Sequence, residues 1–574
     1  GEAWESVPGK QAGERVSRLA AGLLSLGLTS EQRVGIASGT RYEWILADLA
    51  VMCAAGATTT VYPTTNAEDT AYIVGDSECQ VVFAEDDEQV AKLTEQKSQI
   101  PTVKKVVVFD GATDGDWLIS LDDLEKLGEA YLAEHPGVIE ETAKSIAPDA
   151  LATLIYTSGT TGKPKGVRLL HRGWVYEGAA IKSQNILHED DLQFLWLPMA
   201  HSFGKVLLST QLACGFATAI DGRVEKIVDN LGVVKPTFMG AAPRIFEKAH
   251  ARIVTMTASE GGAKEKIFQQ AFKVGIEVDK RKREGKSIPL PLKLQHGLFD
   301  KLVFSKVRER FGGRVKFFIS GSAALNAEIA EWFHAAGILI LEGYGMTENS
   351  AIATANRPGR VRLGTVGEPL EGAEVRLDDG TGEVLTRHPA VFKGYWRDEE
   401  ATARTIDADG WLHTGDVGEW VEGTHLRITD RMKDIIITAG GKNVSPSEIE
   451  NLLKASPYVK EAVVVGDGRK YLTGLIGIEL DTVSDWAQRR GLAFTTYADL
   501  AAKPEVHELV AGIVQQANER LATVEQLKDF RLLPKELDHE DGELTATQKV
   551  KRAAVAATFE ELVSQMYAVP GGAR

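Results

Sequence analysis

The chain has 574 residues, 44% of them hydrophobic and 25% charged, with a formal net charge of −16. That length exceeds what one hydrophobic core serves, so two or more domains are expected, and the acidic balance argues against nonspecific nucleic-acid binding. Its three cysteines, Cys53, Cys79 and Cys214, lack disulfide or zinc spacing, and no run of about 18 apolar residues marks a membrane span.

A helix is expected around Lys10 to Leu26. From Arg33 to Asp110 the β-branched runs Val34–Ala37, Thr58–Tyr62, Val81–Ala84 and Val106–Phe109 alternate with helical patterns such as Trp44–Ala55, the signature of βαβ units with buried parallel strands. The apolar run Leu151–Tyr156 then ends in Thr157-Ser158-Gly159-Thr160-Thr161-Gly162-Lys163-Pro164-Lys165-Gly166. Glycines there allow close backbone approach, and hydroxyls, ammoniums and free N–H groups offer donors to anionic oxygen, so the loop suits phosphate. It is not a Walker A loop, because Thr157 stands where that motif has its first glycine and Pro164 follows the lysine.

The stretch Thr257–Ser287 reads as surface helices joined by glycines. Next, Val315–Ser320 leads into Gly321-Ser322-Ala323-Ala324, a helix is expected over Asn326–Ala336, and Ile338–Leu341 leads into Glu342-Gly343-Tyr344-Gly345-Met346-Thr347-Glu348. Strand, helix, strand places both loops at one edge of a parallel sheet, where open α/β folds bind ligands. Trp411–Asp416 and Thr429–Asp434 follow.

After about residue 425 the pattern changes to a compact α+β domain. Ser445-Pro446-Ser447-Glu448 reads as a capping box opening a helix with the stripe Ile449, Leu452 and Leu453. Strands are expected over Glu461–Gly466, Leu472–Glu479 and Phe530–Leu533, with a helix over Glu505–Glu525 and a basic segment, Gly542–Arg552, near the end.

These motifs, taken in order, resemble the adenylate-forming superfamily of acyl-CoA synthetases, peptide-synthetase adenylation domains and luciferases. Lys235–Lys248, Thr438–Pro446 and Leu544–Arg552 are most similar to the bacterial long-chain fatty-acid CoA ligases. The resemblance covers nearly the whole chain and implies an α/β fold: a large N-terminal domain with parallel-rich sheets (1–430) and a small, mobile α+β lid (431–574), hinged at Lys433. It also implies further residues upstream of Gly1. With no apolar span and no charged-then-apolar signal sequence, a cytoplasmic protein is expected, with peripheral attachment at the inner membrane as an option.

The implied reaction activates a fatty acid with ATP to acyl-AMP and pyrophosphate, then forms a thioester with CoA. A carboxylate is a poor acylating agent, and adenylation gives it a leaving group by positioning and electrostatic work. By resemblance, Thr157, Ser158, Gly159, Thr160, Thr161, Gly162 and Lys163 hold phosphates, and Thr157 with Glu348 places Mg2+. Gly321, Ser322, Ala323, Glu342, Gly343, Tyr344, Gly345 and Thr347 surround adenine; Asp416, Ile428 and Arg431 hold the ribose side. Lys549 bridges carboxylate and α-phosphate, and His201 lies beside them. Phe203, Gly204, Met239 and Gly240 line the acyl tunnel, and Gly440 and Gly441 serve the CoA step after the lid turns about Lys433.

Taken singly, several residues have plainer readings: Asp416 as a turn residue, Glu348 as a solvated carboxylate, Tyr344, His201, Phe203 and Met239 as packing, Lys433 as a surface lysine. Lys549, Lys551 and Arg552 could equally be a basic tail balancing Glu536–Glu543. The sequence also departs from the superfamily at Gln548, where glycine is usual, and at Ala546, where long-chain members carry proline. Two other functions remain open: a fatty-acyl-AMP ligase loading an acyl carrier protein, and a noncatalytic acyl-lipid or nucleotide sensor. A carboxylic-acid-reductase adenylation module is a further relative of the same type.

Overall fold

The structure is a computed structural model that describes residues 4–157, 163–538, 541–545 and 549–568. Seven strands form the first sheet: β1 (Arg33–Ala37), β2 (Ala57–Val61), β3 (Val81–Asp86), β4 (Lys105–Asp110), β5 (Leu118–Ser120), β6 (Leu151–Thr157) and β7 (Lys165–Leu170). Their order is β5-β4-β3-β1-β2-β6-β7, parallel except for β7, which returns antiparallel to β6. The β-branched runs form these strands because both sheet faces are covered, so nearly every position is buried.

The second sheet holds β8 (Leu192–Leu195), β9 (Ala217–Ile220), β10 (Phe238–Ala241), β11 (Phe317–Ser320), β12 (Leu339–Tyr344), β13 (Thr354–Ala355) and β14 (Glu368–Pro369). Its order is β14-β13-β12-β11-β10-β8-β9, and β10, β11 and β12 are parallel, with Ser320 opposite Glu342. Both predicted loops therefore leave the same sheet edge. The intervening helix is Ala327–Ala335, capped by the Asn326 side chain.

The helix Gly262–Arg283, joined by Gly261 to the one before it, is a surface element as expected, but one side of it enters the core. Ala271, Phe272, Val274, Gly275 and Val278 are buried, and Phe272 stacks on Trp332 with ring centroids 4.4 Å apart. A narrow apolar stripe suffices to seat a helix, and the surrounding Lys and Glu residues hide it in an averaged composition.

A third, antiparallel sheet of β15 (Glu374–Leu377), β16 (Glu383–Arg387), β17 (Leu412–Val421) and β18 (His425–Arg431) leads to a separate C-terminal unit. That unit has a hairpin, β19 (Ile436–Ile437) with β20 (Asn443–Val444), and a sheet in which β22 (Leu472–Ile478) pairs antiparallel with β21 (Val459–Val465) and parallel with β23 (Leu527–Leu532). It has its own apolar core, including Ile449, Leu453, Ile476, Val483, Val506 and Val510.

Two local expectations change here. Ser445 precedes the helix Pro446–Lys454 without capping it: its hydroxyl donates to Thr429 O and Asp430 Oδ2, at 3.0 and 2.7 Å. Asp430 takes over the end of the helix, accepting from the Ser447 N–H at 3.2 Å. A carboxylate there satisfies an orphan donor and meets the positive end of the helix dipole. The helix expected to reach Glu525 runs only over Pro504–Asn518. The Asn518 side chain ends it by exchanging two hydrogen bonds of 2.9 Å with the Leu527 backbone, which starts β23.

Candidate active site

The loops after β11 and β12 meet the third sheet at one cleft. Tyr344, at the end of β12, donates its hydroxyl to Asp416 Oδ2 at 2.7 Å, and Arg431 Nε lies 3.1 Å from Asp416 Oδ1. The β17–β18 register sets Asp416 opposite Arg431, with Ile428 half-buried opposite Gly418. Burial, then the Asp416 charge, holds the Tyr344 phenol well above its usual range, so it stays a donor. Glu342 lies beneath the Gly321–Leu325 segment, accepts from the Leu325 N–H at 3.3 Å, and is pushed up to about 8 by burial. Ser322 adopts the left-handed backbone region, φ +71°, in that segment.

Thr347 and Glu348 are buried in a single helical turn, Thr347–Asn349. Glu348 accepts from the Tyr395 hydroxyl at 2.8 Å, and burial raises its pKa. Tyr395 stood outside every motif in the sequence; its place beside Glu348 comes from a crossing of chain 47 residues away. Thr157 ends β6, half-buried and in register with Lys165. Lys163 Nζ sits 4.6 Å from the Tyr72 ring centroid, and Tyr72 donates to Pro164 O at 3.2 Å. Ser158, Gly159, Thr160, Thr161 and Gly162 lie outside the described residues, as do Ala546 and Gln548.

His201 precedes the helix Ser202–Cys214, and its Nδ1 accepts from the Phe203 N–H at 3.1 Å. The proton of the neutral ring is therefore on Nε2. Burial, then the Lys549 charge, lowers its pKa to about 3. The Phe203 ring reaches two glycines that make room for it: a Cβ on Gly240 or Gly321 would stand 3.4 Å from its edge. Gly204 starts the same helix against Pro198 and is closed to a side chain, since a Cβ would meet Pro198 O at 2.4 Å. Met239 and Gly240 are successive residues of β10 and face opposite sides of the sheet, so they do not share one wall with Phe203. Met239 packs in the core, 1% exposed.

The C-terminal unit brings Lys549 to this cleft. A hairpin places it: Thr545 N–H donates to Lys549 O at 2.8 Å, Lys549 N–H to Thr545 Oγ1 at 3.0 Å, and Leu544 bridges Val550. Arg552 holds the base of this hairpin through a two-pronged contact with Glu450, which also accepts from the Val464 N–H. The basic segment is thus anchored rather than a free tail. Desolvation, then repulsion by Arg431, lowers the Lys549 ammonium to about 8, against the attraction of Asp416 and Glu348. Lys549 is exposed and His201 half-buried, although protein surrounds both on most sides. Solvent therefore screens part of both shifts.

The contacts between the units are polar. Arg244 pairs with Glu479, Asn326 Nδ2 donates to Asn451 O at 2.9 Å, and Arg520 pairs with Glu328. Lys433 is exposed at the junction, its pKa lowered by partial burial and by Arg431. Gly440 and Gly441 lie exposed in the turn between β19 and β20, where the Gly441 N–H donates to Thr438 O at 2.8 Å. Among the described residues no cluster of His, Cys, Asp and Glu forms a self-contained metal cage.

Comparison with known proteins gives a consistent picture. A family model described as AMP-binding enzyme matches residues 2–396, and one described as AMP-binding enzyme C-terminal domain matches 433–570. The chain is 34% identical to the long-chain-fatty-acid–CoA ligase FadD15 of Mycobacterium bovis, over 98% of this chain and 92% of that one. It is 30% identical to the peroxisomal long chain acyl-CoA synthetase 7 of Arabidopsis thaliana, over 98% and 81%. The crystal structure of the anthranilate CoA ligase AuaEII with anthranoyl-AMP superposes with a TM-score of 0.70 at 20% identity, covering 96% of this chain and 91% of the other. At that identity the likeness is one of fold.

Proposed function

We infer the reaction from membership: the chain belongs to the AMP-binding enzyme family, and it is a long-chain fatty-acid–CoA ligase of the AMP-forming type. ATP and a fatty acid give acyl-AMP and pyrophosphate; CoA then displaces AMP to give the thioester. The observation that carries the reading is the meeting, in one cleft, of Lys549 from the C-terminal unit with Asp416, Arg431 and Glu348 from the larger part of the chain.

In this proposal Asp416 exchanges its bond to Tyr344 for the ribose hydroxyls, Arg431 and Ile428 border the same sugar, and Tyr344 offers its ring to adenine. Gly321, Ser322, Ala323, Glu342, Gly343, Gly345 and Thr347 form the rest of that pocket, and Thr157 through Lys163 face the phosphates. Lys549 neutralises charge shared between the carboxylate and α-phosphate oxygens as the bond forms. His201, neutral and a donor through Nε2, orients the carboxylate. Phe203, with Gly204 and Gly240, borders the acyl entrance; Met239, on the other sheet face, is left out of it.

Mg2+ fits this site: Glu348 is a buried carboxylate with Tyr395 as its one side-chain donor among the described residues, and Thr157 adds a hard hydroxyl oxygen. When bound with ATP the ion neutralises phosphate charge. We also propose the division 1–430 and 431–574, with Lys433 as hinge. A polar interface of this type permits domain motion, and rotation would exchange the Lys549 hairpin for the Gly440–Gly441 turn before CoA attack. Peripheral membrane attachment belongs to the proposal as well; no helix among the described residues is long and apolar enough to cross a membrane.

The test follows pyrophosphate and acyl-CoA separately across a series of fatty acids with ATP and Mg2+, with and without CoA. Joint appearance is the expected result. Acyl-AMP that CoA cannot consume would point to a carrier-protein acceptor, and silence in both channels would overturn the reading.

A further inference from the structure

One surface feature has no use in the reaction. Leu290, Leu294, Leu298 and Leu302 are 67%, 67%, 57% and 48% exposed, and they recur every four residues along one continuous helical segment, Leu290–Glu309. A wider, π-type turn over Asp300–Phe304 lets the row continue along one side of the segment. The inward side is already satisfied: Val303, Phe304 and Val307 are buried, and Phe299 packs on the main core. The segment is therefore apolar on two sides, and its outer row of leucines joins no apolar cluster among the described residues.

Charge identifies the occupant. Between residues 280 and 306 eight lysines and arginines stand against two acidic residues, in a chain of net charge −16. Arg281, Arg283 and Lys286 are engaged by acidic neighbours. Lys293, Lys301 and Lys306 are exposed and have no ion pair among the described residues, and they flank the leucine row at spacings of one to four residues. Apolar side chains bordered by free ammoniums match the boundary between acyl chains and anionic headgroups. The same charges disfavour a second copy of this chain, since a two-fold contact would bring the lysine borders together.

We propose that the Leu290–Lys306 face seats this enzyme on an anionic lipid bilayer, the surface into which its fatty-acid substrate partitions. The proposal rests on the fatty-acid reading above for its purpose, but its test does not. The full chain is floated with phosphatidylcholine vesicles and with vesicles containing phosphatidylglycerol, in low and high salt, beside Leu294→Ser/Leu298→Ser and Lys293→Glu/Lys301→Glu. Thermal midpoints check that the surface variants fold, and sedimentation velocity reports oligomeric state.

Binding to the anionic vesicles at least about tenfold above the neutral ones, weakened by salt and lost about tenfold or more in each variant, is the expected result. Octanoate, which is water-soluble, is turned over by the variants at the wild-type rate. Wild-type chain that binds neither vesicle, or leucine variants that bind as well as wild type, overturns the proposal. So does a dimer that the leucine substitutions convert to monomer while vesicle binding stays unchanged. Vesicle binding that needs the leucines, in a chain that releases no pyrophosphate with any fatty acid, supports the surface and overturns the ligase reading.

Discussion

Two lysines of this molecule, one in the core and one at the cleft, show opposite ways of handling a charge. Lys205, in the helix Ser202–Cys214, reaches Asp48 in the helix Tyr42–Cys53: it is 2% exposed, and its ammonium lies 2.6 Å from both oxygens of Asp48, which also accepts from Thr58. Trp44 and Trp174 complete its surroundings, at 5.9 and 5.5 Å. Lys549, in the cleft, is held by its hairpin beside Arg431 and has no ion-paired partner among the described residues. A closed pair spends its attraction on its own desolvation. A lysine kept apart from carboxylates retains that attraction for an anion that arrives.

Breaking the first site should produce the largest effect. Asp48→Ala leaves an unpaired ammonium in the core and is expected to destabilise the fold by about 3–5 kcal/mol, read as a lowered denaturation midpoint. The double variant Asp48→Leu/Lys205→Met removes both charges and should recover most of that loss. If the double variant were as unstable as the single one, packing rather than the buried charge would be the cause.

Breaking the second should leave stability nearly unchanged and reduce pyrophosphate release by about 10² to 10³. In Lys549→Ala, thioester formation from supplied acyl-AMP should persist. Equal loss of both half-reactions would remove Lys549 from its assigned step.

A milder perturbation of the same lysine is pH. In the free enzyme its pKa is lowered to about 8, so the protonated form is lost as pH rises through that value. Adenylation kcat/KM should be level below it and fall about tenfold per unit above it. Lys549→Arg should move that limb beyond the accessible range even where its rate is low.

The smallest effect is expected at Tyr395→Phe, which removes one donor from buried Glu348. A bond to a charged group contributes about 1.5–3 kcal/mol, an upper bound here because cations also serve Glu348. The loss should shrink as Mg2+ is raised in an adenylation titration, and a loss independent of Mg2+ would separate Tyr395 from the metal site.

The chain's own order made the frame legible. Runs such as Val81–Ala84 and Val106–Phe109 became buried parallel strands because β-branched residues on both faces suit a sheet covered on both sides. The loops at Gly321 and Tyr344 share an edge because β11 and β12 run parallel, so both leave the sheet at its carboxyl ends. Asn326, the Ile449 and Leu453 stripe, and the paired strands Glu461–Gly466 and Leu472–Glu479 are local signals of this type.

Contacts between distant segments were not legible. Asp430 displaced Ser445 as the helix cap, Asn518 stopped a helix that propensity would have continued, and Phe272 entered the core from a charged stretch. Met239 and Gly240 parted because adjacent residues on a strand face opposite ways, which composition cannot express. By itself the sequence determined which residues could form strands, turns and donor-rich loops, since those depend on neighbours within a few positions. Only the tertiary structure decided which donor each buried carboxylate meets, with the Tyr395 hydroxyl on Glu348, the Lys205 ammonium on Asp48 and Lys549 without an ion pair among the described residues, because electrostatic attraction depends on distance and solvent access that folding alone sets.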